Sequence, residues 1–244
     1  MPSYYFPGLN KLAREDTIWL ENEEFHHLKV TKRRQQEPIL LNSGAGFLAR
    51  AELLSITSRA ACLKILETTE VQPPEHPFAI AFSLLKNRHD ELLVEKCTEL
   101  GATKFFPMQT QYSVRQGGSN TVERFARLAL AAIKQCDNPW LPEVNPVLNL
   151  EEALREIDRQ GFTPVLCSER RDGVWIWQAG LDSSARPCFL IGPEGGWGEA
   201  EYGLFTGLQS ITLGSLITRA ETAAIAGAAQ WVAYANQAKT MGTT

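Results

Sequence analysis

Two glycine-rich turns, at residues 192–196 and 214–217, are the stretches of this 244-residue chain best suited to bind a ligand. Each turn follows a short apolar run, at residues 188–191 and 211–213, and such a run before a turn is typical of a buried strand. Glycine has no Cβ, so the backbone itself can approach a bound molecule. Open α/β sheets bind ligands beyond the carboxyl ends of their strands, so we expect the two turns to border one pocket.

The second turn leads into the start of a helix. Thr218 is followed three residues later by Glu221, which is the spacing of a capping box. A helix N-terminus offers unpaired N–H groups to a polar or anionic ligand. Arg219 stands at this helix start, where the helix dipole disfavours a cation, and this position favours a functional role over a plain surface one.

The elements that must position these turns alternate between strand and helix from residue 78 onward. Apolar runs at 78–85, 104–108 and 163–167 predict buried strands. Helices are predicted at residues 90–100, from a cap at Asn120 to Asn138, and after a cap at Asn149. This alternation predicts an α/β fold with a mostly parallel sheet and helices on both faces.

The first 72 residues have a different pattern. Short strand-like runs lie at residues 17–20, 39–41, 47–54 and 61–66, with a turn at 42–46. Residues 71–77 contain three prolines and predict a stiff linker. We therefore expect two domains, residues 1–72 and residues 73–244.

At its glycine turns the chain resembles the RsmE family of 16S ribosomal RNA uridine-N3 methyltransferases, members of the SPOUT superfamily. The motifs are GPEGG at residues 192–196, and LG at 213–214 followed by RAETA at 219–223. Blocks at residues 26–30, 91–101, 134–135 and 141–143 match too, as do Lys86 and Pro107, so the likeness covers nearly the whole chain. It implies a SPOUT-type sheet with a C-terminal trefoil knot, and a small N-terminal PUA-like β-barrel that helps to bind RNA.

The resemblance also implies a reaction. S-adenosyl-L-methionine is the expected methyl donor, 16S rRNA of the small ribosomal subunit is the expected substrate, and a homodimer is the expected assembly. The cofactor contacts that we expect lie at one strand end, in the two turns and at the helix start: Leu166, Cys167, Ser168, Glu169, Gly192, Pro193, Glu194, Gly195, Gly196, Leu213, Gly214, Ser215, Leu216, Ile217, Glu221 and Thr222.

Methyl transfer to uridine N3 requires loss of a proton and stabilisation of the negative charge that remains. A carboxylate can accept the proton and an arginine can stabilise the anion. We expect Arg219 in the second role, or in steering a phosphate. Glu194 is the candidate base, or else a ligand of the ribose hydroxyls. Capping explains Glu221 better than catalysis does, helix packing explains Thr222 equally well, and the identity of the base stays open.

The net charge of −4 argues against RNA binding through a global positive field. RNA contacts are therefore expected from local residues, and a solvated charged turn is the alternative. The candidates are Lys29, Lys32, Arg33, Arg34 and Lys86.

Family arginines are absent at two places, where this chain has Tyr112 and the tripeptide at residues 138–140. The absence of these arginines removes positive charge that is expected to face RNA. It motivates a second hypothesis. In that hypothesis the chain is a non-catalytic RNA- or ribosome-binding protein that keeps the fold.

The composition, 44% hydrophobic and 21% charged, is ordinary for a globular protein. No apolar run is long enough to span a membrane, and the first residues lack a secretory signal. Five scattered cysteines without a Cys-x-x-Cys pair predict reduced thiols and a cytoplasmic location. Four histidines without zinc spacing predict that there is no metal site.

Overall fold

A computed structural model describes residues 3–30, 38–168, 173–182 and 184–241. The chain divides into two compact units. The first contains Met1–Pro73 and Leu130–Leu141, and the second contains Pro74–Ala129 and Pro142–Thr244.

The described part of the first unit contains a five-stranded sheet. Its strands are β1 (Tyr4–Tyr5), β2 (Thr17–Glu21), β3 (Ile39–Asn42), β4 (Phe47–Ile56) and β5 (Ala60–Glu70). Their order is β1-β3-β4-β5-β2. Only β1 and β3 pair in parallel among these strands, and register shifts in β4 after Arg50 and after Leu53 curl the sheet. Alternate side chains such as Ile18 and Leu20 are buried, as expected for a sheet with one covered face.

The predicted strands of this unit are confirmed, and β4 and β5 extend further than expected. A short helix, α1 (Asn22–Val30), was not predicted. Only Phe25 and Leu28 of α1 are buried, so its sequence shows little of the apolar periodicity that marks a helix.

The described strands of the second unit form one sheet. They are β6 (Ala79–Ser83), β7 (Lys104–Gln109), β8 (Glu143–Val144), β9 (Leu148–Asn149), β10 (Thr163–Cys167), β11 (Pro187–Ile191) and β12 (Gln209–Ile211). Their order is β12-β10-β11-β6-β7-β8, and β9 also pairs with β7. Each neighbouring pair among them is parallel, as the alternation of elements predicts. All residues of β6 and β11 are buried, because strands at the centre of such a sheet are covered on both faces.

The helices that follow these strands include those predicted at residues 90–100, 120–138 and after Asn149, but the predicted cap at Asn120 is wrong, because that helix already begins at Ser119. The helices are α2 (His89–Glu99), α3 (Ser119–Cys136), α4 (Leu150–Arg159), α5 (Glu199–Gly203) and α6 (Ala220–Met241). The Asn149 side chain accepts the Glu152 N–H at 2.9 Å, and the Glu152 carboxylate accepts the Asn149 N–H at 3.2 Å, so the predicted cap of α4 is confirmed.

The last helix, α6, packs on β11 and on α2. Its buried face consists of small residues, such as Ala224 and Ala228, together with Trp231. The Trp231 indole N–H donates to the His76 carbonyl at 3.2 Å, which satisfies the polar atom of a buried ring. Among the residues that the structure describes, no helix combines the length and apolar character needed to cross a membrane.

Candidate functional site

A cavity of about 410 Å³ opens at the carboxyl ends of β10, β11 and β12. The register places β10 between β11 and β12, and all run in the same direction, so their turns emerge at one edge of the sheet. The described lining residues are Cys167, Ser168, Ile191, Gly192, Pro193, Glu194, Gly195, Gly196, Thr212, Leu213, Gly214, Leu216, Ile217, Thr218, Arg219, Ala220 and Ala223. The two glycine turns therefore border one pocket, as predicted.

Glycine is required in these turns for two different reasons. A Cβ on Gly192 would lie 2.9 Å from Cε2 of the buried Trp197 ring, so only a bare backbone fits there. Gly196 and Gly214 have φ angles of +74° and +154°, which L side chains rarely adopt. Turns of this kind present peptide N–H and C=O groups to a ligand.

Two hydrogen bonds stiffen the turns. The Gly196 N–H donates to the Pro193 carbonyl at 2.9 Å, and the Thr212 hydroxyl donates to the Gly214 carbonyl at 3.1 Å. A pre-ordered pocket loses less conformational entropy when a ligand binds.

Two charged side chains border the cavity from opposite turns. Glu194 and Arg219 are both exposed lining residues. The Glu194 carboxylate accepts a hydrogen bond of 3.2 Å from the backbone N–H of Lys86, in the loop after β6. An acceptor and a cation on one cavity can remove a proton and stabilise the resulting anion.

The thiols of this region are not nucleophiles. Burial raises the pKa of Cys167, which lines the cavity, and of the neighbouring Cys188 above the ordinary thiol range. A thiol in such surroundings stays protonated at neutral pH, and the thiolate is the reactive form. The described ranges hold all five cysteines, and none of them forms a disulfide there.

The structure brings together most of the residues predicted for cofactor binding but leaves several outside the cavity lining. Leu166 packs in the hydrophobic core, because successive strand residues point to opposite faces and Cys167 faces the cavity instead. Ser215 and Thr222 are exposed and are not among the lining residues. Glu169 lies outside the described residues.

Glu221 has a partner that the sequence did not indicate. Its buried carboxylate lies 2.8 Å from Nδ1 of His89, at the start of α2. The helix begins at Ala220, and this contact with His89 replaces the predicted capping box as the explanation for Glu221.

Sequence reasoning missed some lining residues: Ile191, Thr212, Thr218, Ala220 and Ala223. Ala220 and Ala223 are three residues apart in α6 and share one face of it. That spacing was the available signal, and it became useful only once the helix start was known.

The residues predicted to contact RNA fall into separate groups. Lys86 follows β6 in the second unit and is exposed. Lys29 is exposed in the first unit, with its Nζ 4.8 Å from the centre of the Phe25 ring. Lys32, Arg33 and Arg34 lie outside the described residues.

The tripeptide that replaces family arginines, residues 138–140, has a packing role in the first unit. The Trp140 indole N–H donates to the Gln72 carbonyl at 3.1 Å. A Cβ on Gly46 would lie 2.4 Å from the Trp140 ring, so Gly46 makes room for that ring. The Asn42 amide donates to the Asn138 carbonyl at 2.8 Å.

Comparison with known proteins first identifies the class of protein to which this chain belongs. Residues 72–232 match the family model described as an RNA methyltransferase domain. The matched residues include the sheet of the second unit and all of the described cavity lining.

The described residues contain no group of three or more histidine, cysteine, aspartate or glutamate side chains arranged to hold a metal ion.

Individual relatives then define the family. The chain is 31% identical to the ribosomal RNA small subunit methyltransferase E of Synechocystis sp., over 88% of this chain and 73% of that protein. It is 30% identical to the protein of that name from Bacillus subtilis, over 90% and 91% of the two chains. A crystal structure of a ribosomal RNA small subunit methyltransferase E from Neisseria gonorrhoeae bound to S-adenosyl methionine aligns with a TM-score of 0.82 and 26% identity, covering 94% of this chain and 95% of that chain. The chain belongs to the ribosomal RNA small subunit methyltransferase E family.

Proposed function

We propose that this protein methylates N3 of a uridine in 16S rRNA of the small ribosomal subunit, with S-adenosyl-L-methionine as the methyl donor. The observation that carries the proposal is the cavity at the ends of β10, β11 and β12, with Glu194 and Arg219 on its border, in a chain of this family. The name of the relatives and the S-adenosyl methionine bound to the Neisseria gonorrhoeae protein support the substrate and the donor. A substrate on the ribosome supports a cytoplasmic location.

The residues at the cavity fit this cofactor. A volume of about 410 Å³ lies within the roughly 300–1,000 Å³ typical of small-molecule sites. The turns around Gly192 and Gly214 offer backbone donors and acceptors, which can read an adenine and hydroxyl groups. Leu213, Leu216 and Ile217 supply apolar contact. When bound, S-adenosyl-L-methionine supplies an electrophilic methyl group.

Two side chains of the protein accept the N3 proton and stabilise the negative charge that its loss leaves on the uracil. Glu194, oriented by the Lys86 N–H, accepts the proton from uridine N3. Arg219 faces the negative charge that then spreads onto the uracil oxygens, and it stabilises that charge. Holding the nucleobase against the donor contributes further, because well-oriented reactions gain on the order of 7–11 kcal/mol from proximity.

Primer extension tests the reaction. N3 methylation blocks Watson–Crick pairing, so reverse transcriptase halts at the modified uridine. Small subunits from a strain that lacks the gene, incubated with this protein and S-adenosyl-L-methionine, should acquire one new stop. Absence of a new stop together with absence of S-adenosylhomocysteine binding at millimolar ligand would favour the non-catalytic alternative, an RNA- or ribosome-binding protein.

We propose that the two compact units have different roles. The first unit, which is PUA-like, binds RNA, and the second unit catalyses methyl transfer. The curled sheet of β1–β5 and the exposed Lys29 support this role for the first unit. Lys29→Ala should weaken binding to small subunits and reduce its salt dependence, while S-adenosylhomocysteine affinity stays the same. An unchanged salt dependence would remove Lys29 from the RNA contact.

We also propose that the C-terminal segment is threaded as a trefoil knot. β12 pairs with β10 on one side and with Val174 on the other. Both β10 and Val174 belong to the segment of the chain that leads into β11. The Val174 N–H donates to the Ser210 carbonyl at 3.1 Å, and the Thr212 N–H donates to the Val174 carbonyl at 2.9 Å. A segment held on both sides by one covalent loop is the arrangement that threading requires. A chain trace from a crystal in which α6 passes outside this loop would contradict the proposal.

A homodimer is the assembly that we propose. Leu216 and Ile217 are 79% and 76% exposed, and the exposed rings of Trp175 and Trp177 are stacked with centroids 5.0 Å apart. Large apolar side chains exposed in this way support an association site. Sedimentation should give twice the chain mass for the unmodified protein and a lighter species for Trp177→Glu. A monomer at micromolar concentration would contradict the proposal.

A further inference from the structure

We propose that Tyr112 is a platform on which a nucleobase of the substrate RNA stacks at the border of the cavity. The inference rests on the function proposed above, because it names a contact for the RNA of that reaction. Tyr112 follows β7, and 48% of its surface is exposed. Aromatic rings are the usual platforms for unpaired bases in RNA-binding proteins.

The ring stands beside the GPEGG turn. A Cβ on Gly195 would lie 3.1 Å from Tyr112 Cβ and 3.5 Å from Tyr112 Cγ. Gly195 lines the cavity, and Glu194, the proposed acceptor of the N3 proton, precedes it. A nucleotide that presents N3 to Glu194 therefore brings bases of its strand next to Tyr112.

Hydrogen bonds among hydroxyl groups hold the turn that carries the ring. The Ser83 hydroxyl lies 2.7 Å from the Thr110 hydroxyl and 2.8 Å from the Ser113 hydroxyl. The Thr110 N–H donates to the Ser113 hydroxyl at 2.9 Å, and the Ser113 N–H donates to the Thr110 carbonyl at 3.1 Å. Ser83 and Thr110 are buried, so the bonds are shielded from water. The backbone that carries Tyr112 is therefore ordered before any base arrives.

The residue before Tyr112 is attached to the loop after the GPEGG turn. One oxygen of the Glu201 carboxylate accepts the Gln111 N–H at 2.9 Å, and the other accepts the Gly198 N–H at 2.7 Å. A Cβ on Gly198 would lie 3.2 Å from Gln111 Cβ, so the two segments are close together. This carboxylate bridge joins the turn that carries Tyr112 to the segment that follows the GPEGG turn.

Cations near the same border can hold the backbone of the strand. Lys86 and Arg219 are exposed, Arg219 lines the cavity, and Lys86 belongs to the loop that contacts Glu194. Sites for single-stranded nucleic acid combine stacking rings with cations that follow the phosphates. The chemistry of this border therefore fits an unpaired RNA segment.

Kinetics with small ribosomal subunits test the platform. Tyr112→Leu should lower kcat/KM on the order of 10- to 100-fold, as expected from the loss of one base–ring stack. Tyr112→Phe keeps the ring and should stay within about threefold of the unmodified protein. Val114→Ala is the matched control, since Val114 is an exposed apolar residue of the same loop and has no ring.

Several outcomes would overturn the inference. If Tyr112→Phe loses as much activity as Tyr112→Leu, the hydroxyl acts and not the ring face. If calorimetry shows that Tyr112→Leu weakens S-adenosylhomocysteine binding, the ring serves the cofactor. An equal loss in Val114→Ala assigns the effect to the whole turn, and full activity in Tyr112→Leu removes the contact altogether. An unmodified protein that methylates nothing would instead refute the proposed function.

Discussion

The contact between Glu221 and His89 gives a prediction that separates a structural role from a role in cofactor binding. The Glu221 side chain is 9% exposed, the His89 side chain is 27% exposed, and the two atoms in contact are 2.8 Å apart. Hydrogen bonds that involve a charged group contribute about 1.5–3 kcal/mol, and removal of one buried partner leaves the other unsatisfied. Glu221→Ala should therefore lower the free energy of unfolding by about that amount.

Thermal unfolding measures this effect. For 150–250 residues, each kcal/mol lowers Tm by roughly 2–4 °C, so Glu221→Ala should lower Tm on the order of 3–12 °C. His89→Ala should show a similar loss, and the double variant should lose less than the sum, because the partners share one interaction. Glu123→Ala, an exposed carboxylate on α3, is the control and should change stability by less than about 0.5 kcal/mol.

Cofactor affinity, in contrast to stability, should hardly change when Glu221 is replaced. S-adenosylhomocysteine affinity should change by less than about threefold in Glu221→Ala when it is measured below the unfolding transition. If stability is retained while cofactor binding is lost, the reasoning is refuted, and Glu221 is the cofactor ligand that its motif first suggested. Losses that add fully in the double variant would show that the contact with His89 contributes nothing.

Further predictions concern catalysis, packing and pH. Arg219→Ala should reduce kcat roughly 10²- to 10³-fold with little change in S-adenosylhomocysteine affinity, and equal loss of both would make Arg219 a structural residue. Gly192→Val should destabilise the protein by about 1–3 kcal/mol in urea unfolding, since the new side chain meets the Trp197 ring; unchanged stability would show that the ring can move. Burial raises the pKa of the Cys97 thiol well above its ordinary value of 9.0, so the folded state keeps a proton that the unfolded chain loses above pH 9. This stabilisation is complete below pH 9 and falls by about 1.4 kcal/mol per pH unit above it, so Cys97→Ala should make the loss of stability above pH 9 shallower by that amount. Identical slopes would contradict burial of the thiol.

The parts of the fold that sequence predicted are those encoded by local patterns. A strand followed by a glycine turn needs only a run of about ten residues to be recognised, and the sites at β11 and β12 were found in this way. The cap at Asn149 is likewise contained in four residues, and the structure contains both of its hydrogen bonds.

The features that sequence analysis missed depend on residues far apart in the chain or on a shift of one residue along a strand. His89 and Glu221 are far apart in the chain, and no local spacing connects them. Leu166 was predicted as a cofactor contact together with Cys167 at one strand end, yet one residue along a strand reverses the direction of a side chain. Tyr112 was noted only as a missing arginine, because its closeness to Gly195 is created by the sheet and not by the sequence.

The position of the cavity in the chain has a consequence for synthesis. All of its described lining residues lie between Cys167 and Ala223, after the whole of the first unit, which is complete at Leu141. Domains generally fold in the order in which they leave the ribosome. The first unit can therefore mature while the ligand site does not yet exist, and a nascent chain acquires the ability to bind its donor only when translation has passed Ala223.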